Sequence, residues 1–164
     1  MNTKELASLL LKSVESNSGK FVPWWEDDFE NCMYRYDMFS EEDIQNVTEC
    51  VKNSDMAELL APVGGMGMTV LHLLVWNNFE EAVRFMIDNG ADVNVKAVLG
   101  QGILKDVCIG ETPFLIACYQ GNLSMAKLLI EAGAELCAVD EKGRNAYHYL
   151  CSYINKMSRD YECV

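Results

Sequence analysis

The sequence lacks long hydrophobic runs and is poor in basic residues. No stretch approaches about 18 consecutive uncharged apolar residues, so the sequence predicts no membrane-spanning helix. Lysine and arginine number 13 against 25 aspartates and glutamates, which gives a net charge of −12. Because a negative field repels phosphate groups, we expect no nucleic acid and no membrane as partner, and a basic protein surface is favoured. An acidic face that serves solubility alone is an open alternative.

Convergent catalytic groups and metal-ligand sets are also missing. The glycines between positions 64 and 67 are not followed by the Lys-Ser or Lys-Thr of a phosphate-binding loop. His148 and Cys151 are too few ligands for a zinc site, and Cys118 or Cys137 would have to supply the rest. We therefore predict no catalytic residues, no metal and no cofactor. A metal- or thiol-dependent sensor is a minor alternative.

The seven cysteines are an odd number and most fall at apolar positions, so reduced, buried thiols are predicted. The amino-terminal segment has a short apolar run without a small-residue cleavage site after it. It therefore predicts an amphipathic helix over residues 3–16 rather than a secretion signal, and a cytoplasmic protein. Thr3 is the expected cap of this helix. Its apolar stripe consists of Leu6, Leu9, Leu10 and Val14.

Residues 110–137 predict two short helices back to back. Thr112 can cap the first helix, with Pro113 at its first position, where a missing N–H group costs nothing. Gly121 ends that helix, and Gly133 ends the second one with the positive φ that glycine adopts most readily. Neither helix is long enough to be stable alone, so the unit needs a neighbour that covers its apolar face.

The same pattern recurs on both sides of this unit. Its opening, which starts at Gly110, returns 33 residues later as Gly143–His148 and occurs 43 residues earlier as Gly67–His72. The end of the second helix recurs as well, because residues 85–92 match residues 128–135. Self-similarity at periods of this length indicates an array of stacked helix pairs.

In these motifs the chain resembles the ankyrin repeat family. The family's opening T-P-L-H-x-A occurs as Thr112-Pro113-Phe114-Leu115-Ile116-Ala117 and as Thr69-Val70-Leu71-His72-Leu73-Leu74. The resemblance covers about residues 40–164 and does not reach residues 1–39. It implies an all-α solenoid of stacked helix-turn-helix repeats, in which His72 and His148 are structural histidines bonded to nearby backbone.

The expected organisation is a single ankyrin-repeat domain over residues 1–164. Its parts are a helical N-terminal cap (1–39, with Trp24 and Trp25), a divergent repeat (40–66), a repeat with an extended β-hairpin turn at about 95–109 (67–109), a regular repeat (110–142) and a C-terminal capping repeat (143–164). In the divergent repeat, Ser40 and Asp43 predict the start of one helix, and residues 56–64 align on 125–133 as the second. The hairpin and the Trp24–Trp25 segment are each either a binding element or packing.

The resemblance implies a non-enzymatic protein-protein interaction module that uses the concave face of the first helices and projecting turns. By position in the repeats, the candidate partner-binding residues are Trp76, Asn77, Tyr119, Gln120, Tyr153, Met68, Glu111, Arg144 and, in the hairpin, Gln101. Trp76 and Tyr119 are expected about 10 Å apart on one face of the stack. The alternative is that Trp76 packs over Phe79 or the hairpin.

A second functional class is an acidic stoichiometric inhibitor of a basic protein, of the immunity or antitoxin kind. The charge favours it, because 13 acidic residues stand against 5 basic ones among the first 60. Such a complex would weaken steeply with added salt.

Overall fold

The computed structural model describes residues 1–17, 39–63, 67–98, 110–151 and 154. Several predictions lie outside the described residues. They are those for the Trp24–Trp25 segment, the body of the hairpin with Gln101, Tyr153, and the side chain of Val14.

The described ranges are built from helices, and their only strand-like pairing is one antiparallel bridge between Val63 and Met68. This confirms the all-α prediction. The helices are α1 (Thr3–Asn17), α2 (Glu41–Lys52), α3 (Met56–Leu60), α4 (Val70–Trp76), α5 (Glu80–Asp88), α6 (Pro113–Tyr119) and α7 (Leu123–Glu131). Residues 146–151 and 154 are also helical and belong to the final repeat.

Helix α6 begins and ends as the sequence predicts. The Thr112 side chain accepts a hydrogen bond from the Leu115 N–H group (3.3 Å), and Pro113 occupies the first turn. Gly121 follows the helix with φ at +66°, and Gly133 follows α7 with φ at +93°. Both turns need this left-handed conformation, which a Cβ atom disfavours.

The two internal helix pairs stack side by side. Helix α4 packs against α5, and α6 packs against α7, so each repeat is a helix pair. Helix α4 also packs against α6, which places the first helices of successive repeats next to one another. Leu71, Leu74 and Leu115 are fully buried within the resulting core.

The packing of the amino-terminal helices differs from the expected pairing. The alignment predicts α2 and α3 as the helix pair of one divergent repeat. Instead α1 lies beside α4, and α2 lies beside α5. Leu6 and Leu10 of α1 are fully buried, whereas α3 has five residues and buries Leu59. Helix α3 is too short to offer the apolar surface that the second helix of a repeat needs. Helix α2 takes that place beside α5 instead.

The start of α1 also differs from the prediction, whereas that of α2 agrees with it. Asn2, not Thr3, caps α1, because its Oδ1 accepts from the Glu5 N–H group at 2.9 Å. The Thr3 hydroxyl donates to Glu58 Oε2 at 2.8 Å. At α2 the predicted capping box is present, since Ser40 and Asp43 bond to each other's backbone N–H groups.

The four cysteines in the described ranges are free thiols. Cys50 and Cys118 are buried, as the sequence predicts, and burial raises the pKa of Cys118 to about 11. Cys151 is partly buried. Cys137 is exposed, so the expected burial of the thiols does not extend to every cysteine.

Candidate partner-binding face

Three aromatic rings from successive repeats lie next to one another, and we call Trp76, Tyr119 and Tyr149 the aromatic row. Trp76 ends α4 and Tyr119 ends α6, so the stacking of the two helices brings the rings together. Their centroids are 6.1 Å apart at an interplanar angle of 27°. Tyr149 meets Tyr119 edge-on, with centroids 6.1 Å apart. Tyr149 is buried, whereas Trp76 and Tyr119 are half-buried and form the accessible part of the row.

Polar side chains hold the accessible pair in place. Gln120 donates a hydrogen bond from Nε2 to the Trp76 carbonyl at 2.7 Å, which ties the turn after α6 to the end of α4. Asn77 donates from Nδ2 to the Leu73 carbonyl at 2.8 Å. Because the rings are fixed before a partner arrives, binding to them costs little side-chain ordering.

Trp76 and Tyr119 are closer together than the sequence predicts. The expected spacing is about 10 Å, but aromatic rings attract each other in offset-stacked arrangements at shorter centroid distances. Phe79, the alternative packing partner of Trp76, contacts Phe39 edge-on instead, with centroids 5.0 Å apart.

Two predicted partner-binding residues are buried. Met68 has no exposed surface, and its carbonyl accepts the Val63 N–H group at 2.7 Å. Glu111 is 2% exposed, and its Oε1 lies 2.7 Å from the Tyr149 hydroxyl. A partner cannot reach either side chain in this conformation, so we remove both from the binding face. Both residues form contacts within the chain instead, Met68 with Val63 and Glu111 with Tyr149.

Arg144 lies at the buried end of the aromatic row. Its guanidinium carbon is 4.9 Å from the Tyr149 ring centroid, and its Nε forms an ion pair with Asp140 at 2.7 Å. Asp140 also accepts the backbone N–H groups of Lys142 and Arg144, at 2.9 and 2.8 Å. With a third of its side chain exposed, Arg144 is mainly a structural residue that covers Tyr149.

The charges of this cluster follow from its contacts. Burial alone would raise the pKa of Asp140, but the hydrogen bonds from Arg144 and Tyr149 outweigh it and hold that pKa below its usual range. Burial, together with the hydrogen bond to Glu111, raises the pKa of Tyr149. Asp140 is therefore ionised and Tyr149 is a neutral hydroxyl at physiological pH.

Tyr149 is the important residue that the sequence analysis missed. It follows Ile116 by 33 residues and therefore takes the position of an aliphatic core residue. A tyrosine at the position of an aliphatic core residue indicates that its buried hydroxyl needs a hydrogen-bond partner. Here the carboxylates of Glu111 and Asp140 are the partners.

His72 is a structural residue, as the resemblance implies. Its Nδ1 accepts the Thr69 N–H group at 3.1 Å, and its Nε2 donates to the Glu111 carbonyl of the next repeat at 3.2 Å. Burial lowers its pKa to about 4, against the opposing effect of hydrogen bonds to the Glu111 and Val95 carbonyls. A neutral imidazole therefore links the two repeats. His148 bonds to Asn145 in the same manner but is exposed.

No group of three or more histidine, cysteine or acidic side chains within the described ranges is arranged to hold a metal ion. None of their helices has the length and apolar character to cross a bilayer.

Residues 80–130 match the family model described as "Ankyrin repeats (many copies)". They run from α5 to α7, and so include the second helix of one stacked repeat and both helices of the next, apart from the last residue of α7. This part of the chain is thus similar to ankyrin repeats. The ankyrin repeat family is in general one of non-enzymatic interaction modules.

Curated proteins are similar to this chain over part of its length. Over 112 residues the chain is 32% identical to the "Probable 26S proteasome regulatory subunit p28" of Saccharomyces cerevisiae, which covers 53% of this chain and 49% of that protein. It is 37% identical over 67 residues to the "Ankyrin repeat and LEM domain-containing protein 1 homolog" of Caenorhabditis elegans, with 41% of this chain and 8% of that protein covered. It is 30% identical over 82 residues to the "B-cell lymphoma 3 protein homolog" of Mus musculus, with 50% and 16% covered. The chain thus spans less than half the length of each of these relatives.

Proposed function

We propose that this ankyrin-repeat chain binds a protein partner through the accessible pair Trp76 and Tyr119, with Asn77 and Gln120 beside it. The observation that supports this most directly is the ring stack itself, because two half-buried aromatic side chains from successive repeats meet at 6.1 Å. Large aromatic side chains that are fixed and partly accessible are typical anchors of protein interfaces. Arg144 covers Tyr149 and stays a prediction as a partner-binding residue, as do Tyr153 and Gln101.

The proposed face is preorganised by the repeat stack. Gln120 joins the two repeats at the Trp76 carbonyl, and Asn122 joins them again through Asn78 Oδ1 at 2.6 Å. A partner that contacts Trp76 therefore also meets Tyr119, without rearrangement of the turns. This is the feature that makes a repeat array suitable as an extended binding surface.

The test replaces the rings while keeping apolar bulk. The double variant W76L/Y119L retains most of the packing surface but removes the stacked rings, so we expect it to fold and to lose most of its affinity for the partner recovered with the wild-type chain. Truncation at an interface anchor typically costs about 2 kcal/mol or more, or roughly thirtyfold in affinity. The matched control is Y147L, because Tyr147 is 72% exposed and lies outside the aromatic row. Unchanged affinity in the double variant would refute the face.

The acidic charge favours one more specific class, a stoichiometric inhibitor that covers a basic protein. The chain carries a net charge of −12, which speeds association with a positive surface and makes it dependent on ionic strength. Affinity measured at low and high salt separates this class from an apolar interface. A steep loss at high salt supports the inhibitor, and a flat response excludes it.

A further inference from the structure

We propose that the partner contributes an arginine side chain, whose guanidinium stacks on the accessible surface of the Trp76–Tyr119 pair and donates a hydrogen bond to Gln120 Oε1. This inference rests on the proposed function, since it names the chemistry that the same face recognises. Three observations support it: a contact of the same kind inside the chain, the orientation of the Gln120 amide, and the charge of the protein.

The aromatic row already binds one guanidinium at its buried end. Arg144 lies over the Tyr149 ring with its guanidinium carbon 4.9 Å from the centroid. A cation over a ring is attracted by the negative face of the π system, and the attraction is strongest for tryptophan. The accessible end of the row presents that better ring, Trp76. Within the described ranges, the aromatic ring that contacts Trp76 is that of Tyr119, which stacks on it.

The Gln120 side chain supplies an acceptor beside this ring pair. Its amide nitrogen is engaged with the Trp76 carbonyl at 2.7 Å, which leaves the amide oxygen as the group that can receive a hydrogen bond. Among the described residues no donor is assigned to this oxygen. A guanidinium has five N–H donors and no acceptor, so it can stack on the rings and bond to Gln120 simultaneously.

Charge complementarity favours a cation over a neutral side chain. The chain has a net charge of −12 and a pI of about 4.5, so its field attracts a positively charged segment. Arginine fits better than lysine because its planar group stacks on aromatic faces and is more weakly hydrated than an ammonium group. The negative field would attract a lysine equally, but an ammonium group would bind less favourably to the aromatic rings.

The experiment measures the affinity of the full chain for three peptides by isothermal titration calorimetry at physiological ionic strength. The probes are hexa-arginine, hexa-lysine and hexa-citrulline, in which citrulline keeps the planar shape of arginine without its charge. We expect hexa-arginine to bind about two- to thirtyfold more tightly than hexa-lysine, and hexa-citrulline to bind most weakly. Equal affinities for the arginine and lysine peptides would overturn the inference.

Variants locate the arginine preference. W76L should remove it, whereas Y147L, at an exposed tyrosine outside the aromatic row, should retain it. If W76L melts too early to be measured, Q120M removes the acceptor while keeping both rings, and should reduce the preference. A preference that survives in every folded variant of Trp76 and Gln120 would contradict the assignment. If W76L/Y119L loses the protein partner although the wild-type chain does not prefer arginine, the binding face stands and this inference alone fails.

Discussion

The phenol oxygen of Tyr149 lies 2.7 Å from Glu111 Oε1, so a hydrogen bond joins the final repeat to the repeat before it. The same oxygen lies 2.9 Å from Asp140 Oδ2 and 3.1 Å from Arg144 Nη2. Glu111 is thus held at the seam between two repeats, where it fixes the position of the third ring of the aromatic row.

Replacing Tyr149 by phenylalanine should destabilise the protein. The variant keeps the ring but removes the hydroxyl that the two carboxylates share, and a hydrogen bond to a charged group contributes about 1.5–3 kcal/mol. Urea unfolding followed by circular dichroism measures the loss. Y147F is the matched control, because Tyr147 is 72% exposed and its hydroxyl should contribute less than about 0.5 kcal/mol. Equal effects of the two substitutions would contradict the role of the seam.

The free energy of unfolding should decrease as the pH is lowered, because of His72. Its folded-state pKa is about 4, below its ordinary value of 6.5, so the unfolded chain takes up the proton first as the pH falls. The contribution of the neutral imidazole is present above pH 6.5 and is lost between pH 6.5 and about 4. At its full extent it amounts to about 3 kcal/mol.

The measurement is the free energy of unfolding of the wild-type chain and of H72Q across this pH range. Glutamine can form hydrogen bonds in place of His72 without titrating, so the free energy of unfolding of the wild-type chain should fall relative to that of H72Q as the pH drops from 6.5 to about 4. H148Q serves as the control, because His148 is exposed. A constant difference between wild type and H72Q would show that His72 does not cause the pH dependence.

Two glycines with positive φ should respond differently to alanine. Gly133 has φ at +93° and open space where a Cβ would lie, so G133A should cost only the backbone strain, about 1–2 kcal/mol. Gly110 has φ at +84°, and a Cβ there would lie 3.2 Å from the Glu141 backbone nitrogen. G110A should therefore lower the melting temperature more than G133A does. The reverse order would mean that the turn at Glu141 is not packed on Gly110.

Local sequence signals predict the internal repeats well. The Thr112 cap, Pro113 at the first turn, and the glycines that follow α6 and α7 each act within a few residues, so the sequence alone determines where these helices begin and end. The position of α1 could not be predicted in this way. Its stripe with Leu6 and Leu10 shows that one face is buried but does not indicate which helix covers it.

The candidate binding face was predictable in part. Repeat equivalence places Trp76 and Tyr119 on the same side of the stack, but only the structure shows that their rings are in contact. The same equivalence is misleading for Glu111, whose side chain turns inward because Tyr149 offers it a buried hydroxyl. Side-chain direction depends on such tertiary contacts, which a repeat alignment does not contain.

Photo-crosslinking from the proposed face tests the central claim most directly. Benzoylphenylalanine is introduced at position 119, in the accessible ring pair, and in a second protein at position 130, where Ile130 is 45% exposed on α7. Each protein is irradiated with the captured partner, and the adducts are mapped by mass spectrometry. We predict adducts with the partner from position 119 and few or none from position 130. Adducts from position 130 alone would contradict the account.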